Sequence, residues 1–128
     1  PSEYSSDESM TKGKDLYVKF CSHCHGTKGD GNGILVEREK FLGIPGYDKT
    51  RLPDITPGSI YHVIMHGRNF MGSHSSQLLE EERWAITSYV WHELRGEEMN
   101  PVIEDDSAEG ASDVEDLEVE SENETVTE

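Results

Sequence analysis

The chain has 128 residues, room for one small domain, and only 33% of them are hydrophobic, which excludes a large all-protein core. Its formal charge of −16 argues against nucleic acid or an anionic lipid surface as partner. That charge is uneven: Glu104 to Glu128 holds twelve acids and no Lys or Arg, leaving 15 acids against 11 bases elsewhere, a net of −4.

Pro1 to Met10 is polar, rich in Ser and acids, and reads as an extended leader (1–10). No signal peptide is visible, so the chain reads as a mature or trimmed form; a removed N-terminal anchor is compatible with it. From Thr11, a plausible N-cap, Leu16, Tyr17 and Phe20 recur at helical spacing and predict a helix running into Cys21-Ser22-His23-Cys24-His25. Gly26 to Gly33 holds four glycines in eight residues and predicts a loop. It is not G-x-G-x-x-G and follows a helix, so wrapping a neighbouring group is favoured over cradling phosphate. Ile34 to Leu42 is expected to form a short helix stopped by Gly43 and Pro45.

Thr56, Pro57 and Gly67 punctuate a further helix through Ser59 to His66, with Ile60, Val63 and Ile64 facing inward. Gly67 to Ser76 reads as a loop. Gln77 to Leu94 is the longest helical signal, its apolar set being Leu79, Trp84, Ile86, Tyr89, Val90 and Leu94. Glu80, Glu81 and Glu82 lie at its start, where the helix dipole favours acids, and Gly96 ends it. Beyond Pro101 the composition predicts a largely disordered acidic tail (101–128), with one capping-box pattern at Ser112-Asp113-Val114-Glu115. Strand alternation is absent, so the expected domain (11–100) is all-α. No apolar run reaches the roughly 18 residues needed to span a bilayer.

Cys21, Cys24 and His25 form C-x-x-C-H, the signature of covalent c-type haem attachment. On a helical turn residues i and i+3 share one face, so two thiols can form thioethers with the two vinyl groups of one porphyrin. The next residue, His25, then lies under the iron as an axial ligand. Two other readings of C-x-x-C fit less well. Thiol–disulfide exchange places the motif directly after a β-strand, whereas here a helix precedes it. Zinc needs four ligands, and with two cysteines it would have to draw on His25, His62, His66, His74 or His92. Haem attachment also implies the periplasmic side of a membrane.

The second axial position has several candidates. Met71 lies in a loop between two helices and is favoured; Met65, within a helix, and His66 or His74 are the alternatives. Met10 and Met99 are badly placed in sequence. A thioether ligand raises the reduction potential relative to two imidazoles. Tyr47, Arg51 and Arg68 are candidate partners for the haem propionates, which need donors when buried. Trp84 is a candidate for packing against the porphyrin. Lys12, Lys14, Lys19 and Lys28 flank the motif and are expected to form a local basic rim.

With these residues in place, Lys12 to Leu94 resembles a class I monohaem cytochrome c. Gly13 and Tyr17 stand where that family places a glycine and an aromatic at the crossing of its first and last helices, and Ile86 and Tyr89 match the partner positions. Two departures stand out: Asn32-Gly33 and Gly72 occupy places where bacterial relatives often carry proline, so the carbonyl that accepts the His25 ring proton is not identified. Gly29 through Val36, Gly58 through Ile64 and Gly67 through Met71 are most similar to the monohaem subunit of alternative complex III and its soluble relatives. The resemblance implies one haem c and a monomeric electron carrier rather than an enzyme. Its expected partners are a quinol-oxidising complex and a terminal haem–copper oxidase of a bacterial respiratory chain. The competing expectations are an integral subunit of such a complex, or a ligand-binding or peroxidatic haem protein with a displaceable Met71.

Overall fold

A computed structural model of the chain describes residues 2–98; Met99, the acidic tail and its Ser112 to Glu115 segment lie outside the described residues. The N-terminal segment is helical where the sequence suggested an extended leader. Ser2–Ser5 forms a 3-10 turn, and helix α1 spans Asp7–Phe20. Ser6, rather than Thr11, caps it by accepting from the Ser9 N–H at 3.3 Å, and Asp7 and Glu8 then fill the first turn, where the dipole favours them. Thr11 instead turns its hydroxyl back to the Asp7 carbonyl at 2.9 Å.

Helix α2 is the short turn Ser22–His25, and α3, Ile34–Glu37, is half the length expected. It stops well before Gly43: Glu39 adopts φ 56°, a left-handed conformation that α-helix does not accommodate. Helix α4, Pro57–His66, has the expected ends. The Thr56 hydroxyl accepts from the Ser59 N–H, the Ser59 hydroxyl accepts from the Thr56 N–H, and Pro57 takes the first position. Helix α5, Glu80–Tyr89, begins three residues later than predicted, after the Glu82 carboxylate accepts the Leu79 N–H at 2.9 Å. It continues as a π-helical turn over Val90–Leu94. Among the described residues no strand forms, and no helix is long and apolar enough to cross a membrane.

Helices α1 and α5 make the most extensive packing in the fold. Gly13 is the reason they can approach: a Cβ there would overlap the Ala85 carbonyl and lie 3.0 Å from the Tyr89 Cβ. One turn on, the fully buried Tyr17 ring meets Tyr89 at 5.5 Å between centroids. Tyr89 is thus at the crossing as expected, whereas Ala85 takes the backbone contact and Ile86 points into the core. That core joins Tyr17, Cys21, Ile60, Ile64, Leu78, Ile86, Val90 and Trp91, so the attachment motif belongs to it.

Candidate haem site

The motif is built by the end of α1. The Cys21 N–H donates to the Tyr17 carbonyl, and the Cys21 carbonyl accepts from both Cys24 (3.2 Å) and His25 (2.9 Å). A true helical turn therefore carries both free thiols. Cys21 is buried, which pushes its thiol up to about 12, while Cys24 is half-buried nearer the surface.

The glycine-rich segment folds back beneath this turn. The Gly31 N–H donates to the His25 carbonyl and the Gly33 N–H to the Cys24 carbonyl. A Cβ at Gly33 would overlap the His23 carbonyl, so the close return requires glycine there. With the Gly29 N–H donating to Gly26 as well, these backbone donors are occupied and no phosphate cradle exists. The Tyr17 hydroxyl donates to the Gly26 carbonyl at 2.7 Å, tying the helix crossing to the start of the loop.

His25 stacks on Tyr47, 5.1 Å between ring centroids and 20° apart in plane. Burial lowers its pKa, so the ring is held in the neutral form that a metal ligand needs. The Pro45 backbone lies near the ring and opposes that shift, which makes its carbonyl a candidate for the acceptor that the sequence left open. His25 Nδ1 is buried and has no hydrogen-bond partner among the described residues.

The expected site residues divide. Cys21, Cys24 and His25 come together. Tyr47 joins them, but against the His25 face and packed on Tyr17, not as an exposed propionate donor; the Gly29 carbonyl, accepting the Tyr47 N–H at 2.8 Å, puts it there. Arg51 donates to the Asp30 carbonyl at 2.9 Å and pairs with Asp48, so its guanidinium braces two loops rather than standing free for a propionate. Arg68 is exposed and its backbone pairs with Met71 in a small ring, each N–H donating to the other's carbonyl at 2.9 Å. Met71 itself is half-buried. Trp84 stacks on Tyr61 at 4.3 Å and on Tyr4 at 6.2 Å, so its ring partners are α4 and the N-terminal turn rather than the surroundings of His25.

Arg95 and Arg83 were not singled out by the sequence, whereas His74 was one of the alternative ligands. Arg95, its side chain only 2% exposed, donates to the Tyr47 carbonyl (2.8 Å) and the Pro53 carbonyl (3.2 Å), pairs with Glu97, and lies over Trp91. Arg83 is buried, donates to the Leu78 carbonyl at 2.6 Å and lies over Tyr61. His74 lies against Phe20, the residue before Cys21. A lone arginine at a helix end reads as a solvated dipole partner, and nothing in its spacing signals burial.

Large apolar side chains remain uncovered: Phe70 is 96% exposed, Leu42 80%, and Ile34 and Phe41 nearly half. A flat apolar cofactor beside the motif suits a fold whose own core is this small. The donor set also fits: two thiols on one helical face, then a neutral buried imidazole.

The comparisons with known proteins agree. The family described as cytochrome c oxidase, cbb3-type, subunit III matches residues 8–90. The chain belongs to this family. Two solved structures are similar to it. Cytochrome cL from Hyphomicrobium denitrificans has 26% identity over 66% of this chain with a TM-score of 0.51. Cytochrome cL from the marine methylotroph Methylophaga aminisulfidivorans has 27% identity over 68% with a TM-score of 0.53. The chain spans 46% and 55% of those proteins, about half their length. No curated protein matches it in sequence. The fold is therefore that of a class I cytochrome c, all-α with crossed first and last helices, and its cofactor is one covalently bound haem c.

Proposed function

We propose that this cytochrome is a one-electron carrier of a bacterial respiratory chain on the periplasmic side of the membrane, and not an enzyme. Cys21 and Cys24 hold the haem through thioethers, and His25 and Met71 are the axial ligands. The single observation that carries this reading is the α1–α2 junction, where both thiols and a neutral, stacked imidazole lie on one helical turn. When bound, the haem supplies an iron that cycles between two oxidation states.

The chain's own residues supply rigidity. Tyr47 stacks on the His25 ring and fixes its plane, and Arg95 holds the Tyr47 backbone in turn. An imidazole held this firmly rearranges little when charge changes, which favours fast transfer. Met71 raises the potential, and docking with partners is expected to be weak and transient through a small interface.

Electron delivery from a quinol-oxidising complex of the alternative complex III type to a haem–copper oxidase is the pathway we favour. The oxidase named in the family description supports the acceptor side. The word subunit in that description equally favours a second reading, a component fixed within a larger complex. Purification decides between them: a shuttle is recovered as a monomer, a fixed component with its complex. Spectra test the ligand set. The ferric protein should show the weak far-red sulfur-to-iron band, and Met71→His should abolish it and lower the potential. A band that survives Met71→His rejects Met71 as ligand.

A further inference from the structure

His74 is the imidazole that the proposed ligand set leaves unexplained. Its Nδ1 is buried and has no hydrogen-bond partner, a state that native proteins rarely leave without a reason. Its ring meets Phe20 edge-on at 6.4 Å between centroids, so it reaches the end of α1 where the attachment motif begins. The two imidazoles are also close enough that a charge on His74 would disfavour one on His25.

The backbone on either side of His74 is anchored. Its N–H donates to the Ile64 carbonyl of α4 at 2.9 Å, and its carbonyl accepts from Gln77 and Leu78. Ser73 beside it donates to the Met65 carbonyl. Residues 68–71, by contrast, bond to each other: the Arg68–Met71 ring is closed on itself, flanked by Gly67 and by an exposed Gly72 with open space around it. The backbone bonds of Met71 thus close within the tip, whereas those of His74 tie it to α4.

We propose that His74 is a reserve axial ligand, which takes the iron's sixth position when Met71 leaves it. The inference rests on the assignment of Met71 made above. The exchange breaks one iron–sulfur bond and forms one iron–nitrogen bond at unchanged oxidation state, and a neutral imidazole releases no proton. Its consequence is a closed iron: carbon monoxide or peroxide meets a second ligand rather than a vacant position when the thioether is displaced or oxidised. The potential falls in that state, because two imidazoles favour the ferric form relative to imidazole and thioether.

The test compares the haem-loaded Met71→Ala protein with Met71→Ala/His74→Gln by absorption, ferric electron paramagnetic resonance and carbon monoxide uptake. The expected result is a Met71→Ala protein that lacks the far-red band, stays low-spin and takes up carbon monoxide at least tenfold more slowly than the double variant, which is high-spin. A Met71→Ala protein that is high-spin and as reactive as the double variant overturns the proposal and leaves Met71 standing as ligand. So does a double variant that stays low-spin, since another group then fills the position. A far-red band that persists in Met71→Ala rejects the Met71 assignment and the reserve role with it. Should the glutamine variant not fold, Met71→Ala/His74→Phe keeps aromatic bulk against Phe20 and answers the same question.

Discussion

The Arg95 guanidinium donates to the Tyr47 carbonyl at 2.8 Å, and the Tyr47 ring stacks on His25 at 5.1 Å. Residues at the far end of the last helix thereby reach the haem motif through one intermediary. Arg95→Gln removes the donors to Tyr47 and Pro53 and leaves Glu97 with Lys49, at 3.4 Å, as its remaining ion-pair partner. The expected loss is about 1–3 kcal/mol in denaturant unfolding, since two carbonyl acceptors lose a charged donor. The same variant should shift the haem methyl resonances in proton NMR, because the His25 ring loses its stacked support. Unchanged resonances would make Arg95 a structural brace only.

The difference between Arg95 and Gly13 explains what the sequence could and could not reveal. Helix ends at Thr56, Pro57 and Gly67, the C-x-x-C-H turn and the Gly13 crossing were legible because each follows from local chemistry or one conformational demand. Arg95, Pro45 and the packing of Tyr47 depend on where a loop returns after 20 residues or more, and no local pattern encodes that. Arg51 and Trp84 have partners within the chain for a related reason: side chains able to serve a cofactor serve loops and neighbouring rings equally well. The N-terminal segment was misjudged on composition alone. Ser and acidic residues suit a disordered leader, but they suit the first turn of a helix just as well.

Tyr17 links α1 to the haem loop and sets an alkaline limit on stability. Burial raises the pKa of Tyr17 and of Tyr47 above the ordinary 10.0. Above that value an unfolded chain ionises these phenols while the folded one keeps them neutral. Their contribution is therefore complete below pH 10 and is lost progressively above it. Denaturation midpoints should stay level with respect to these groups up to about pH 10 and fall beyond, and the fall should be shallower in Tyr17→Phe. At neutral pH that variant should lose about 1 kcal/mol, because the Gly26 carbonyl loses one of its two donors and keeps only the Gly29 N–H. An equally steep alkaline fall in Tyr17→Phe would exclude Tyr17 as the source.

Gly13→Ala tests the helix crossing. The added methyl would overlap the Ala85 carbonyl, which is backbone and cannot turn aside, so α1 and α5 must separate. Overpacking of this kind costs about 1–3 kcal/mol, outweighing the ~1 kcal/mol that alanine gains over glycine within a helix. Thermal unfolding should show the net loss, and Gly13→Val should lose more. A stabilised Gly13→Ala would mean that the helices do not meet at this point.

The lysines near the motif are not equivalent. Lys12 pairs with Glu81 at 3.2 Å and with Glu82 at 3.9 Å, so its charge is largely cancelled on α5. Lys14, Lys19 and Lys28 are exposed, and no ion pair engages them among the described residues. They are the lysines left to supply the expected basic rim on a chain whose formal charge is −16. Local charge within about 10 Å of the contact governs an encounter at 0.1 M salt, because more distant charge is screened. Electron transfer to ferricyanide, a small anion, should then slow several-fold in Lys14→Glu/Lys19→Glu/Lys28→Glu and change little in Lys12→Glu. The loss should shrink as salt is raised. Equal rates in all four proteins would show that electrons leave through a surface these lysines do not border.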